Sequence, residues 1–141
     1  MLGIDLGTVR IGLALSDPLG ITAQPAGVLR RRGPRADLEA LAALVRDREV
    51  TRIVVGYPLL LSGEAGIAAK EAEEFAGRFR ERLPGVPIDL WDERWTTKEV
   101  ERTLIAADVS RRKRRQVVDS LAAVLILQGF MERHPQSPTG S

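Results

Sequence analysis

The chain has 141 residues, a length typical of one domain, and its 44% hydrophobic share is sufficient for a packed core. The absence of cysteine excludes a disulfide framework and a thiolate metal site. The net charge is only +2. No apolar run approaches the roughly 18 residues of a membrane span, and the N-terminus lacks a signal-peptide pattern. We therefore expect a cytoplasmic protein with no membrane partner.

Three short strands are predicted at the beginning of the chain. Residues 2–7 and 10–16 alternate between aliphatic residues and small or polar ones, and a short turn at Gly7–Val9 joins them. Val28 and Leu29 indicate a third strand. Three successive strands with short connections favour an antiparallel meander.

Helices and strands alternate in the rest of the chain. The predicted elements are a helix that begins at Pro34, a strand over 52–56, a helix over 65–82, a strand over 86–91, and helices over 97–107 and 112–132. This order predicts an α/β fold with a five-stranded mixed sheet and helices on both faces. We expect one domain over residues 1–133 and a frayed tail over 134–141.

Two acidic residues lie where apolar residues are expected. Asp5 interrupts an aliphatic strand that we expect to be central in the sheet, and a carboxylate there must be paired, protonated or bound to a metal. The 7–10 turn or Arg10 is an alternative partner. Asp119 lies in a helix that is apolar on nearly every side, and Arg115 is the alternative partner for its carboxylate.

A further pair of acids, Asp92 and Glu93, follows the last predicted strand. Ligands of α/β proteins commonly bind at strand ends. Adjacent residues point to opposite faces, so one of the two is expected in the site. The alternation does not decide which, because the preceding Leu90 and Trp91 are both apolar.

Carboxylate oxygens that cluster in a fold are suited to Mg²⁺ or Mn²⁺. The only histidine, His134, belongs to the predicted tail, so a zinc site is not indicated. A carboxylate cluster beside basic residues matches metal-assisted phosphodiester hydrolysis, with two ions sharing the work.

The basic residues are concentrated in two segments. From Arg94 to Arg115 there are eight Lys and Arg against three acids, and Arg30–Arg35 contains a second cluster. Such clusters attract polyanions, although solvated faces of helices and loops have the same composition.

Four segments, taken in order, resemble the motifs of the YqgF/RuvX family. They are DLGTVRIGLALSD from Asp5 to Asp17, VGYP from Val55 to Pro58 with Ser62-Gly63, DERWTT from Asp92 to Thr97, and VDSLAA from Val118 to Ala123. Together they cover the chain from Met1 to about Met131. Four ordered motifs are far more specific than any one of them. The resemblance implies an RNase H-like fold.

The resemblance also implies a function, a nuclease that processes the 5′ end of precursor 16S rRNA, with ribosomal precursor particles as partners. It implies that Asp5, Glu93 and Asp119 are the catalytic, metal-binding carboxylates, and it selects Glu93 over Asp92. Arg10 and Arg94 fall in the same motifs and are candidates for nucleic-acid binding. Arg111, Arg112 and Arg114 are further candidates because they lead into the helix of Asp119.

Three alternatives remain open at this point. A Holliday-junction resolvase would act on branched DNA as a homodimer, whereas the trimming of an RNA end can use a monomer. A non-catalytic RNA-binding or ribosome-binding module would need only the basic residues. The segment from Asp5 to Thr8 also resembles the first phosphate loop of actin, Hsp70 and sugar kinases, which bind nucleotide.

Overall fold

The computed structural model describes residues 1–58, 66–92 and 111–133, and their side chains except those of 111–119. The elements are β1 (Leu2–Leu6), β2 (Arg10–Ser16), β3 (Ala23–Arg30), α1 (Pro34–Asp47), β4 (Ile53–Tyr57), α2 (Ile67–Arg82), β5 (Ile88–Asp92) and α3 (Arg111–Arg133). This order confirms the predicted one. The predicted helix over 97–107 and the tail over 134–141 lie outside the described residues.

The five strands form one mixed sheet in the order β3-β2-β1-β4-β5, so β1 is central. β1 pairs antiparallel with β2, and β2 pairs antiparallel with β3. β1 and β4 are parallel, as are β4 and β5. The predicted meander and crossovers are therefore confirmed, and the fold is α/β.

β3 is longer than the two residues that indicated it, because it begins at Ala23. It lies at the edge of the sheet, and most of its residues are exposed. An edge strand does not need regular apolar alternation, so its full length leaves a weak sequence pattern.

Helices cover both faces of the sheet. On one face, α1 and α2 pack Leu41, Val45, Phe75 and Phe79 against the aliphatic side chains of the strands, and we call this the α1/α2 face. On the other face, α3 packs its residues Ala123, Ile126, Leu127 and Phe130 against Ala14 and Val54. We call it the α3 face. No helix among the described residues is long and apolar enough to cross a membrane.

Gly3 lets α3 approach the central strand closely. A Cβ atom at this position would lie 2.8 Å from the carbonyl oxygen of Ala123 and 2.8 Å from the Cβ of Leu127. Both atoms belong to rigid parts of α3, so a side chain at Gly3 would push the helix away from β1. The glycine therefore sets the spacing between the strand of Asp5 and the helix of Asp119.

Candidate active site

Three parallel strands end together at one edge of the sheet. Val55 pairs with Ile4 of β1 and with Leu90 of β5, so β1, β4 and β5 all end two residues later, at the same level. The carboxyl ends of parallel strands are the usual ligand sites of α/β sheets. Asp5 of the first motif, Tyr57 of the second and Asp92 of the third lie at this edge.

Asp5 lies on the α3 face at this edge. Its neighbours Ile4 and Leu6 both pack into the core beneath α1 and α2, so the alternation of the strand directs Asp5 to the opposite side. Its partner across the sheet is Gly12 of β2, and its side chain is half-buried. The prediction that Asp5 lies in a central strand is confirmed.

The faces of β5 separate Asp92 from Asp5. Leu90 packs into the core beneath α1 and α2, whereas Trp91 packs on the α3 face, with its ring 6.1 Å from that of Phe130. Asp92 therefore lies on the α1/α2 face, opposite Asp5. The sequence alone left this question open, and the burial of Leu90 and Trp91 answers it for Asp92. Glu93 lies outside the described residues.

α3 runs over β1 so that its N-terminal part lies toward the same edge. Ala123 and Leu127 contact Gly3, and the hydroxyl of Ser120 donates a 2.9 Å hydrogen bond to the carbonyl of Leu13, which pairs with Ile4. Lower residue numbers in α3 thus correspond to positions nearer Asp5. Asp119 lies in α3 one turn before Ala123, about 6 Å along the axis, and its side chain lies outside the description.

A partly buried ion-pair network holds the turn that follows Asp5. Arg31 donates to the carbonyl oxygen of Gly7 at 3.0 Å, to Glu71 of α2 at 2.5 Å and to Asp37 of α1 at 3.5 Å. The amide of Gly7 donates in turn to the carbonyl of Arg10 at 2.9 Å. Arg31 therefore ties the turn beyond β1 to both helices of the α1/α2 face.

The surroundings of Arg31 favour its charged form. Desolvation alone would lower the pKa of Arg31, but its hydrogen bonds and ion pairs with Glu71 and Asp37 outweigh this effect and raise the pKa. Asp37 is only 2% exposed. Composition placed Arg31 in a polyanion-binding cluster, but its guanidinium is committed to internal partners. Only tertiary contacts reveal this role.

Arg10 is the one predicted nucleic-acid-binding residue whose side chain is described. It is exposed at the start of β2, and the alternation through Gly12 places it on the α3 face with Asp5. Arg94 lies outside the described residues. Arg111, Arg112 and Arg114 lie in the first turn or so of α3, and their side chains also lie outside the description.

Tyr57 ends β4 at the same edge and was not singled out as a site residue by the sequence. Its hydroxyl donates a 2.5 Å hydrogen bond to Glu73 of α2. This bond, together with desolvation and the nearby negative charge, raises the pKa of Tyr57. The contact joins the end of β4 to α2 on the α1/α2 face.

The described side chains contain no group of three acidic residues or histidines that could bind a metal ion. Of the predicted triad, only Asp5 has a described side chain.

Comparison with known proteins shows the family. The model of the RuvX family, described as Holliday junction resolvase, matches residues 1–133. Relatives called "Putative pre-16S rRNA nuclease" include one from Pelotomaculum thermopropionicum, 50% identical over 94% of this chain and 86% of its own length. A relative of the same name from Shouchella clausii is 45% identical over 98% of both chains.

Solved structures show the same fold at low identity. Thermus thermophilus RuvC in complex with a Holliday junction substrate has a TM-score of 0.58 at 14% identity, covering 97% of this chain and 98% of its own. Fowlpox virus resolvase in complex with Holliday junction DNA has a TM-score of 0.59 at 10% identity, covering 96% and 98%. The predicted RNase H-like fold is thus confirmed, and the chain belongs to the RuvX family of nucleases.

Proposed function

We propose that this nuclease hydrolyses precursor 16S rRNA near its 5′ end, with Asp5, Glu93 and Asp119 as metal-binding catalytic carboxylates. The observation that carries the proposal is the position of Asp5. It lies half-buried on the α3 face, where β1 ends and where the backbone of α3 approaches from Asp119. The names of the relatives support the choice of RNA.

The donor chemistry fits a hard divalent cation. The proposed ligands are all carboxylates, and the chain contains no cysteine. Carboxylate oxygens favour Mg²⁺ or Mn²⁺, and three acids can share two ions. When bound, such ions lower the pKa of an attacking water and stabilise negative charge on the leaving oxygen.

The protein contributes the placement of these groups. Asp5 is held on a central strand, and the turn that follows it is restrained on both sides by Arg10 and Arg31. Rigid support of this kind keeps a ligand in its productive position. Arg10 and Arg94 would orient the scissile phosphate, and Arg111, Arg112 and Arg114 would guide the RNA backbone toward it.

The proposed substrate also implies where the enzyme acts and what it binds. Precursor 16S rRNA is found in ribosomal precursor particles, so the enzyme would act in the cytoplasm and bind such particles. Trimming of an end requires one active site, which a monomer provides. Residues 1–133 would form the catalytic domain, and the tail over 134–141 would be dispensable for cleavage.

Near-isosteric substitutions test the metal site. Asp5→Asn and Asp119→Asn should keep the fold and the affinity for a precursor-rRNA leader, but lose Mg²⁺- or Mn²⁺-dependent cleavage by at least about a hundredfold. Cleavage is followed on a gel with labelled leader, and affinity is measured without divalent metal. Asp47→Asn, at an exposed position at the end of α1, is the matched control and should cleave normally.

Normal cleavage by Asp5→Asn would refute the proposed site. Metal-independent binding without any cleavage by the wild type would instead identify a non-catalytic RNA-binding module. Tight ATP binding by the isolated protein would favour a nucleotide-binding protein.

The second candidate function is junction resolution, which the description of the family model favours. A four-way DNA junction should therefore be tested beside the rRNA leader, with the particle mass measured in solution. Preferential cleavage of the junction by a dimer would replace the RNA proposal, because resolution requires two active sites.

A further inference from the structure

The cluster Arg30–Arg35 is divided by the fold. Arg31 is used internally, in the network with Asp37 and Glu71. Arg35 is exposed in α1, on the α1/α2 side of the sheet. Arg30 lies on the α3 face, because its neighbour Leu29 packs into the opposite core. The basic residues of this segment therefore cannot act as one patch.

Arg30 lies directly opposite Arg10. The two residues form the last cross-strand pair between β2 and β3, and both are exposed. Like charges directly opposite each other destabilise an antiparallel pair. Arg30 forms no ion pair with any side chain that the structure describes. Two positive charges are thus concentrated at one corner of the sheet.

This corner is adjacent to the site of Asp5. The next residue pair on the α3 face, Gly12 with Val28, lies level with Asp5. From strand spacing and rise, the backbone of Arg30 lies about 12 Å from that of Asp5, with Arg10 between them. No acidic side chain is found on the α3 face along the described parts of β2 and β3.

We propose that Arg10 and Arg30 together bind a backbone phosphate of the RNA strand that leaves the active site across β2 and β3. A phosphodiester anion placed between the two guanidiniums would accept charge-assisted hydrogen bonds from both. Since this phosphate belongs to the substrate of the proposed nuclease, the assignment depends on that function. The assignment also gives the direction of the bound RNA, which would run from Asp5 toward β3 at the edge of the sheet.

The test compares Arg30→Gln with Arg35→Gln, which removes the same charge from the same segment on the other face. Binding of a labelled single-stranded rRNA leader is measured in EDTA over a range of salt concentrations, so it does not depend on cleavage. Arg30→Gln should weaken binding about tenfold at low salt and reduce the slope of log Kd against log salt by about 0.7. Arg35→Gln should leave the slope unchanged.

Three further measurements sharpen the result. Arg30→Lys should retain most of the slope, and thermal unfolding should show Arg30→Gln to be no less stable than the wild type. With leaders shortened one nucleotide at a time on either side of the cut, the effect of Arg30→Gln should disappear on one side only.

Equal effects of Arg30→Gln and Arg35→Gln would overturn the assignment, because both residues would then act only through net charge. An effect seen with a four-way DNA junction but not with RNA would overturn the assigned ligand. Loss of cleavage by Asp5→Asn, measured separately, decides the nuclease site itself. The two experiments therefore show separately whether the phosphate assignment or the nuclease site is wrong.

Discussion

Asp92, the last residue of β5, is the strand-end acid whose position the structure describes. Asp92 lies on the α1/α2 face, because Leu90 faces the core beneath those helices and Trp91 faces α3. A carboxylate there is separated from Asp5 by the thickness of the sheet. This placement supports Glu93 as the proposed third ligand independently of the family resemblance.

We therefore expect opposite results for neighbouring substitutions. Glu93→Gln should reduce metal-dependent cleavage at least about a hundredfold, whereas Asp92→Asn should retain it. Initial rates over a range of Mn²⁺ concentrations measure both effects. If Asp92→Asn abolished cleavage while Glu93→Gln did not, the assignment of the strand-end ligand would be reversed.

Tyr57 offers a direct test of the packing at this edge. It is the only tyrosine of the chain, so absorbance at alkaline pH reports its titration alone. The hydrogen bond to Glu73 raises the pKa of Tyr57, so we expect a midpoint above the usual value of about 10. Because the pKa is raised on folding, the contact stabilises the fold below that usual value and is lost as pH rises through the midpoint.

Glu73→Gln should lower the midpoint of Tyr57, since it removes the negative charge that disfavours the phenolate. Glu74→Gln changes the same charge at the next position of α2, where the side chain is exposed, and serves as the control. Equal midpoints in the two variants would show that the hydrogen bond does not form in solution.

At the scale of elements, the contact between β1 and α3 determines how the proposed ligands meet. Gly3→Ala should destabilise the protein by about 1–3 kcal/mol, because the new methyl group overlaps the backbone of Ala123. It should also raise the Mn²⁺ concentration needed for half-maximal cleavage, since the helix of Asp119 moves away from the strand of Asp5.

Gly77→Ala provides the matched control for this change. Gly77 lies inside α2, and a Cβ there meets open space, so the alanine should stabilise the protein by about 1 kcal/mol through helix propensity. Urea denaturation measures both variants. Unchanged stability of Gly3→Ala would contradict the close approach of α3.

At the scale of the whole molecule, two basic residues that are distant in the chain share one face of the sheet. Arg10 and Arg30 lie on the α3 face, and the basic N-terminal part of α3 lies toward the same end of the sheet. The proposed RNA path therefore runs along one side of the molecule, past Asp5.

Replacement of Arg111, Arg112 and Arg114 by alanine should reduce the slope of log Kd against log salt by about two. Three lost phosphate contacts on a single strand each contribute about 0.7 to that slope. Titration of labelled rRNA leader without divalent metal measures it. An unchanged slope would show that this basic segment is only a solvated face.

The sequence alone was sufficient for the order of the described elements and for the central position of β1. Apolar alternation in β1 and β2, and helical spacing in α1 and α2, are local patterns that persist in the fold. It also singled out Asp5, because a carboxylate within an aliphatic strand conflicts with burial. The length of β3 was underestimated, because most residues of this edge strand are exposed and leave no apolar alternation in the sequence.

Only the tertiary structure decided which residues share a surface. Asp92 was separated from Asp5 by the packing of Leu90 and Trp91, and Arg31 was separated from Arg30 by the ion pairs with Asp37 and Glu71. The physical reason is that composition records the charge of a segment, whereas the face that each charge occupies depends on which helix covers which side of the sheet.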